Sequence, residues 1–100
     1  QGIFQFGDMW INFVNGKAKG CSGEFYLTAK EALLMKLLVS KKGNIVTREE
    51  LLEKVWGYDP QTETRTVDNF VARLRKYFEN KPQSPKHIIT HREKGYEFKT

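Results

Sequence analysis

Among its 100 residues the chain has one cysteine, Cys21, three prolines and two histidines. A single thiol can neither close an internal disulfide nor build a cysteine-rich metal site, which fits a reducing compartment. No apolar run approaches the roughly 20 residues that a bilayer-spanning helix needs, and no secretory signal pattern is visible. Gly20, Gly23 and Gly43 match no phosphate-cradling motif. There is no nucleophile with its base and no pair of carboxylates in an evident cleft, so no enzyme is expected. His87 and His91 share one side of an extended stretch, but no Cys, Asp or Glu stands at metal-site spacing beside them; no metal and no cofactor is expected.

The residues that are present suit one folded domain. Hydrophobic residues make up 39% and aromatics 13%, enough for a single modest core in a chain of this length. The net charge of +5 is moderate but unevenly placed. Residues 64–94 hold eight Lys or Arg (Arg65, Arg73, Arg75, Lys76, Lys81, Lys86, Arg92, Lys94) against three acids, while the remainder of the chain holds nine of each. A polyanion would be drawn to that last third.

Residues 64–79 explain why. At about 100° per residue, Val67, Val71, Leu74 and Phe78 fall on one narrow stripe, the pattern of a helix packed on a core. Arg65, Asn69, Ala72, Arg73 and Lys76 lie opposite, with Phe70 and Tyr77 flanking the stripe on one side and Arg75 on the other. Such a helix fits a B-DNA major groove, where side chains bond base edges and cations meet phosphates. The plainer alternative is a solvated basic face. A compact stripe of this kind suits a protein core better than lipid, so no membrane partner is expected.

Read in order, Ile3–Phe6, Met9–Val14 and Glu24–Leu27 are short aromatic and β-branched runs punctuated by glycine turns. With a strand through Lys17–Lys19, they predict a small antiparallel sheet over residues 1–27 that backs the helices. A first helix starts at the Thr28/Glu31 capping box and has Leu33, Leu34, Leu37 and Leu38 as its inner face; a second starts at the Thr47/Glu50 box, buries Leu51, Leu52 and Val55, and closes at Trp56-Gly57. A loop of seven residues, 57–63, leads to Thr64, which is placed to cap the third helix. These three helices form the core over residues 28–79. Residues 86–99 read as a hairpin whose tip carries Arg92 and Lys94. The fold class is therefore α+β, a winged helix-turn-helix. Trp56 serves as a core aromatic, or as a core aromatic that also donates its indole N–H to a phosphate. Arg65 stands in the first turn of its helix, unfavourable for a cation unless it faces phosphate.

Leu27-Thr28-Ala29-Lys30-Glu31 with Leu33-Leu34, Val46-Thr47-Arg48-Glu49-Glu50-Leu51-Leu52, Val55-Trp56-Gly57, Arg65-Thr66-Val67-Asp68 with Leu74-Arg75-Lys76, and Gly95-Tyr96-Glu97-Phe98 together carry a resemblance over nearly the whole chain. It resembles the winged-helix output domain of the OmpR/PhoB family of bacterial two-component response regulators. The resemblance implies sequence-specific binding of double-stranded promoter DNA at direct repeats, by a tandem pair, in the bacterial cytoplasm. By matching position it implies base reading by Asn69, Phe70 and Arg73, and backbone contacts by Trp56, Arg65, Arg75 and Thr90, to which the outward Lys76 is added. It further implies a wing contact by Arg92, with Lys94 beside it, and an RNA polymerase contact through Tyr58, Asp59, Pro60, Gln61, Thr62 and Glu63. The rival reading is a winged helix used for protein contact or non-specific architectural DNA binding. Three positions depart from the family pattern: Ala32 in place of a larger aromatic, Phe70 in place of a polar side chain, and Glu93-Lys94 after the wing arginine. Phe70 then either meets a thymine methyl or packs inward.

Overall fold

A computed structural model describes residues 2–57, 59 and 61–100. Its elements run β1 (Ile3–Phe6), β2 (Met9–Asn12), β3 (Lys17–Gly20), β4 (Gly23–Tyr26), α1 (Ala29–Ser40), β5 (Ile45–Val46), α2 (Arg48–Trp56), α3 (Arg65–Phe78), β6 (Ile88–His91) and β7 (Gly95–Phe98). Strands β1 to β4 form an antiparallel meander, and β5, β7 and β6 form a second sheet with β7 in the middle.

Alternation decides which face of the meander turns inward. Phe4, Ile11, Ala18 and Phe25 stand opposite one another across its four strands. Beside them Phe6 meets Phe78 of α3 at 5.7 Å and Phe98 of β7 at 5.3 Å between ring centroids. The sheet thus backs the helices, as its aromatic runs predict. Gly20 is needed where β3 crosses the end of α3, because a Cβ there would overlap the carbonyl of Tyr77, which accepts the Cys21 amide at 2.8 Å.

The two cap motifs have different outcomes. At α1 the box is closed: the Glu31 amide donates to Thr28 Oγ1 at 3.3 Å and the Thr28 amide to Glu31 Oε1 at 2.9 Å. At α2 only Thr47 performs its half, accepting the Glu50 amide at 3.1 Å. The Glu50 carboxylate turns instead to Lys41 at 3.0 Å and Lys54 at 3.5 Å, and the Lys41 contact is the main reason its pKa is lowered. The inner face of α1 also needs correction. Glu31, Leu34, Met35 and Leu38 are its buried residues, at the i, i+3, i+4, i+7 spacing of one stripe, whereas Leu33 is 47% exposed and Leu37 half-buried. On α2, Leu51 and Val55 are buried and Leu52 is half-buried.

Thr64 does not cap α3 with its side chain; its backbone is already helical. Tight turns take over, with the Thr66 amide donating to Glu63 O at 2.9 Å and the Val67 amide to Thr64 O at 3.0 Å. The expected stripe is buried in full: Val67, Val71, Leu74 and Phe78 are the buried residues of α3. Strand β5 is an addition to the sequence reading. Ile45 and Val46 pair with Glu97 and Tyr96, and Gly95 makes room, since a Cβ there would overlap the Val46 carbonyl.

Candidate nucleic-acid interface

Burying that stripe fixes what α3 presents outward. Arg65, Asn69, Ala72, Arg73 and Lys76 are exposed along a helix of 14 residues, about 21 Å long at 1.5 Å per residue. At the wing tip Arg92, Glu93 and Lys94 are exposed as well. The turn closes through the Lys94 amide donating to His91 O at 2.9 Å, with Glu93 held at φ 63°, where glycine is the usual occupant.

The helix and the wing are locked together by polar braces. Arg75 donates from Nε and Nη2 to Ile88 O at 3.1 and 2.7 Å, and from Nη2 to Thr90 Oγ1 at 2.7 Å. It thereby ties α3 to β6, with Nη1 outside those bonds. Because Thr90 accepts from Arg75, its hydroxyl proton is left to donate elsewhere. Glu79, 4% exposed, caps the next joint. Its Oε1 accepts the Lys86 amide at 2.8 Å, and its Oε2 accepts the His87 and Ile88 amides at 2.9 and 2.8 Å. Asp68 makes a third joint, accepting from Arg48 Nε at 2.7 Å and from the Tyr96 hydroxyl at 2.5 Å. Burial, then its bond to Asp68, pushes the Tyr96 phenol up, and Arg48's own bond to Asp68 is the first cause of the raised Arg48 pKa.

Phe70 packs inward. Its ring meets Trp56 edge-on at 4.9 Å, and the Arg73 guanidinium lies 4.3 Å from its centroid. Trp56 is half-buried by this contact and remains part-exposed at the junction of α2 with the loop. Arg73 does not pair with Asp68, the acid of its own helix; Nη1 lies 3.9 Å from Glu31 Oε2 of α1. Both histidines are engaged: His87 Nδ1 is 2.9 Å from Lys99 O and His91 Nε2 is 2.7 Å from Glu97 Oε1. Among the described residues no group of three His, Cys, Asp or Glu could hold a metal, and no helix is long and apolar enough to cross a membrane.

In the loop, Asp59 organises a turn by accepting the Gln61 amide at 2.9 Å through Oδ1 and the Thr62 amide at 3.0 Å through its carbonyl. Glu63 is exposed, and Tyr58 and Pro60 of the expected polymerase contact lie outside the described residues. Ala32 lies in an open groove of about 390 Å³, lined also by Phe13, Leu27 and Leu33. The braces Arg48, Asp68, Glu79 and Tyr96 escape sequence reading, because nothing local in a charged or phenolic residue names its partner.

Residues 22–98 match the family model for the C-terminal part of transcriptional regulatory proteins. A probable transcriptional regulator ycf27 of Galdieria sulphuraria is 36% identical over 99 residues, 97% of this chain and 39% of that protein. That of Guillardia theta is 35% identical over the same shares. The chain thus spans about two-fifths of the length of these curated relatives. Among solved structures, the response regulator DrrB of Thermotoga maritima, described as an OmpR/PhoB homolog, superposes with a TM-score of 0.88 at 34% identity, over 100% of this chain and 45% of its own. The Klebsiella pneumoniae RstA DNA-binding domain, solved in complex with the RstA box, superposes with a TM-score of 0.81 at 30% identity, over 99% and 98%.

Proposed function

The chain belongs to the family of transcriptional regulatory protein C-terminal domains, of OmpR/PhoB winged-helix type, and from that premise we propose that it binds promoter DNA sequence-specifically as a regulator's output domain. One observation carries the reading: the exposed Arg65, Asn69, Arg73 and Lys76 face of α3 is braced to the wing through Arg75, Ile88 and Thr90. A fixed helix and hairpin can address a major groove and the neighbouring backbone at once, without first ordering themselves. The bound complex of RstA with its box supports the same use of the fold.

In this reading α3 lies in the major groove. Asn69 bonds adenine and Arg73 forks onto guanine O6 and N7, while Phe70 braces Arg73 from beneath. Arg65, Lys76, Thr90, the Trp56 indole and the remaining Arg75 nitrogen meet phosphates, and Arg92 with Lys94 reaches the backbone or minor groove beside the helix. Two copies sit in tandem on direct repeats, and the loop from Asp59 to Glu63 offers a surface to RNA polymerase. The setting is the cytoplasm of a cell regulated by such proteins.

Selection of bound duplexes from a random pool, followed by titration at fixed salt, tests this. The best duplex should exceed a scrambled one by about 10³ or more. Arg73→Ala should remove about 1 to 3 kcal/mol of preference at one guanine. Lys76→Ala should weaken all duplexes alike and lower the salt slope by about 1, as should Arg92→Ala where Arg92 meets a phosphate, whereas a minor-groove contact makes the Arg92→Ala loss larger on A·T-rich flanks. Equal affinity for every sequence would overturn the reading in favour of architectural binding.

A further inference from the structure

We infer that Glu31 of α1 and Phe70 are positioning residues that hold the Arg73 guanidinium ready for guanine, so that sequence preference depends on a carboxylate outside the recognition helix. This rests on the DNA-reading function proposed above.

Phe70 supplies the floor. With Trp56 edge-on at 4.9 Å and the guanidinium 4.3 Å from its centroid, the ring is held on one side and occupied on another, so it cannot follow Arg73 away. Glu31 supplies the direction. It is 2% exposed and both of its oxygens are fixed, Oε1 by the Thr28 amide and Oε2 by the Tyr77 hydroxyl, each at 2.9 Å. Those donors are neutral, and a buried carboxylate gains most from a nearby cation. Among the described residues Arg73 is the cation at ion-pair distance, 3.9 Å from Oε2.

That separation is too long for a hydrogen bond. Glu31 therefore orients the guanidinium through its field and leaves the forked donors free for a base. With the side chain 54% exposed, the fork remains accessible. A free arginine side chain has considerable rotamer entropy. Restricting it before DNA arrives reduces what is lost on meeting guanine. The gain applies where the fork finds both acceptors, so it appears as discrimination and not as general affinity.

Glu31→Gln isolates the charge. The glutamine carbonyl can keep the Thr28 amide, and its NH₂ can donate to the Tyr77 oxygen. The probes are the best duplex recovered from the random pool, its single G·C→A·T variants and a scrambled duplex. The guanine whose preference Arg73→Ala abolishes marks the contact. Glu31→Gln should lower preference at that guanine by about 3- to 10-fold, the larger figure corresponding to about 1.4 kcal/mol. Affinity for scrambled DNA should hold or rise, because a negative charge has been removed. In the Arg73→Ala background, Glu31→Gln should change nothing at that position.

Undiminished preference in Glu31→Gln overturns the inference. So does an equal loss for every duplex, the sign of a merely structural role. Should glutamine reduce the folded fraction seen by circular dichroism, Phe70→Leu, which leaves the α1 cap intact, carries the same test with the same two refuting results. A wild-type chain with no guanine preference would instead remove the DNA-reading function, and this inference with it.

Discussion

Glu79 joins α3 to the wing, and replacing it by alanine gives the most demanding check of the polar frame. Its carboxylate accepts three backbone amides, those of Lys86, His87 and Ile88, between 2.8 and 2.9 Å. The Ile88 amide is buried, so leaving it without a partner costs about 1 to 3 kcal/mol. The other two are part-buried, and water replaces some of what they lose, leaving roughly 0.5 to 1 kcal/mol each. The sum is about 2 to 5 kcal/mol, a large share of the roughly 5 to 15 that holds a domain folded. At about 4 to 8 °C per kcal/mol for a domain of this size, the thermal midpoint should fall by at least about 8 °C. Glu79→Gln should lie between alanine and wild type. Its one carbonyl can keep His87 and Ile88, the pair on Oε2, but its NH₂ then faces the Lys86 amide with no acceptor. Urea unfolding of the three chains gives the differences, and amide exchange should quicken at Ile88 before it quickens at Leu34 in α1. A loss below about 1 kcal/mol for alanine, or equal losses for both variants, would refute the three-bond account.

Tyr96→Phe removes the hydroxyl that Asp68 accepts at 2.5 Å but leaves the Arg48 pair, so stability near neutral pH should fall by about 1 to 2 kcal/mol in urea titrations. Burial and then Asp68 raise the Tyr96 pKa, so its contribution is fully present below the unfolded phenol value of about 10 and is lost as pH rises through the folded value. The wild type should therefore lose stability more steeply than Tyr96→Phe above about pH 10, and parallel curves would contradict this linkage. Glu93→Gly should raise stability by up to about 1 kcal/mol by relieving a side chain at positive φ. It should also tighten binding to all duplexes by removing an acid beside Arg92 and Lys94; a lower melting midpoint would mean that residue 93 does not hold φ 63° in solution.

The parts of the site legible in sequence are those whose signal is local. The Thr28 cap, the Val67 to Phe78 stripe and the exposed row from Arg65 to Lys76 each follow from spacing along one helix. Phe70 flanks the stripe, so its position in sequence permits both a base contact and inward packing; Trp56, arriving from α2, draws it inward. Glu50 shows how a local rule is outbid. Its box geometry is available, yet Lys41 from the end of α1 and Lys54 one turn on provide a charged alternative to a backbone amide. Thr64 failed as a cap for a different reason, since a residue already in helical conformation cannot aim its hydroxyl at the first free amides.

Sequence by itself determined the order of the meander, the three helices and the wing, though not β5, together with the inward stripe of α3 and the placement of excess charge on the outward face and wing, because residue spacing fixes direction relative to a core. The tertiary structure alone decided which polar groups meet. Asp68 with Arg48 and Tyr96, Arg75 with Ile88 and Thr90, Glu79 with the amides of Lys86 to Ile88, and Glu31 with Tyr77 and Arg73 are separated by 7 to 46 positions. A side chain at such a distance selects its partner only when packing has brought the two together and removed the water that would otherwise satisfy both.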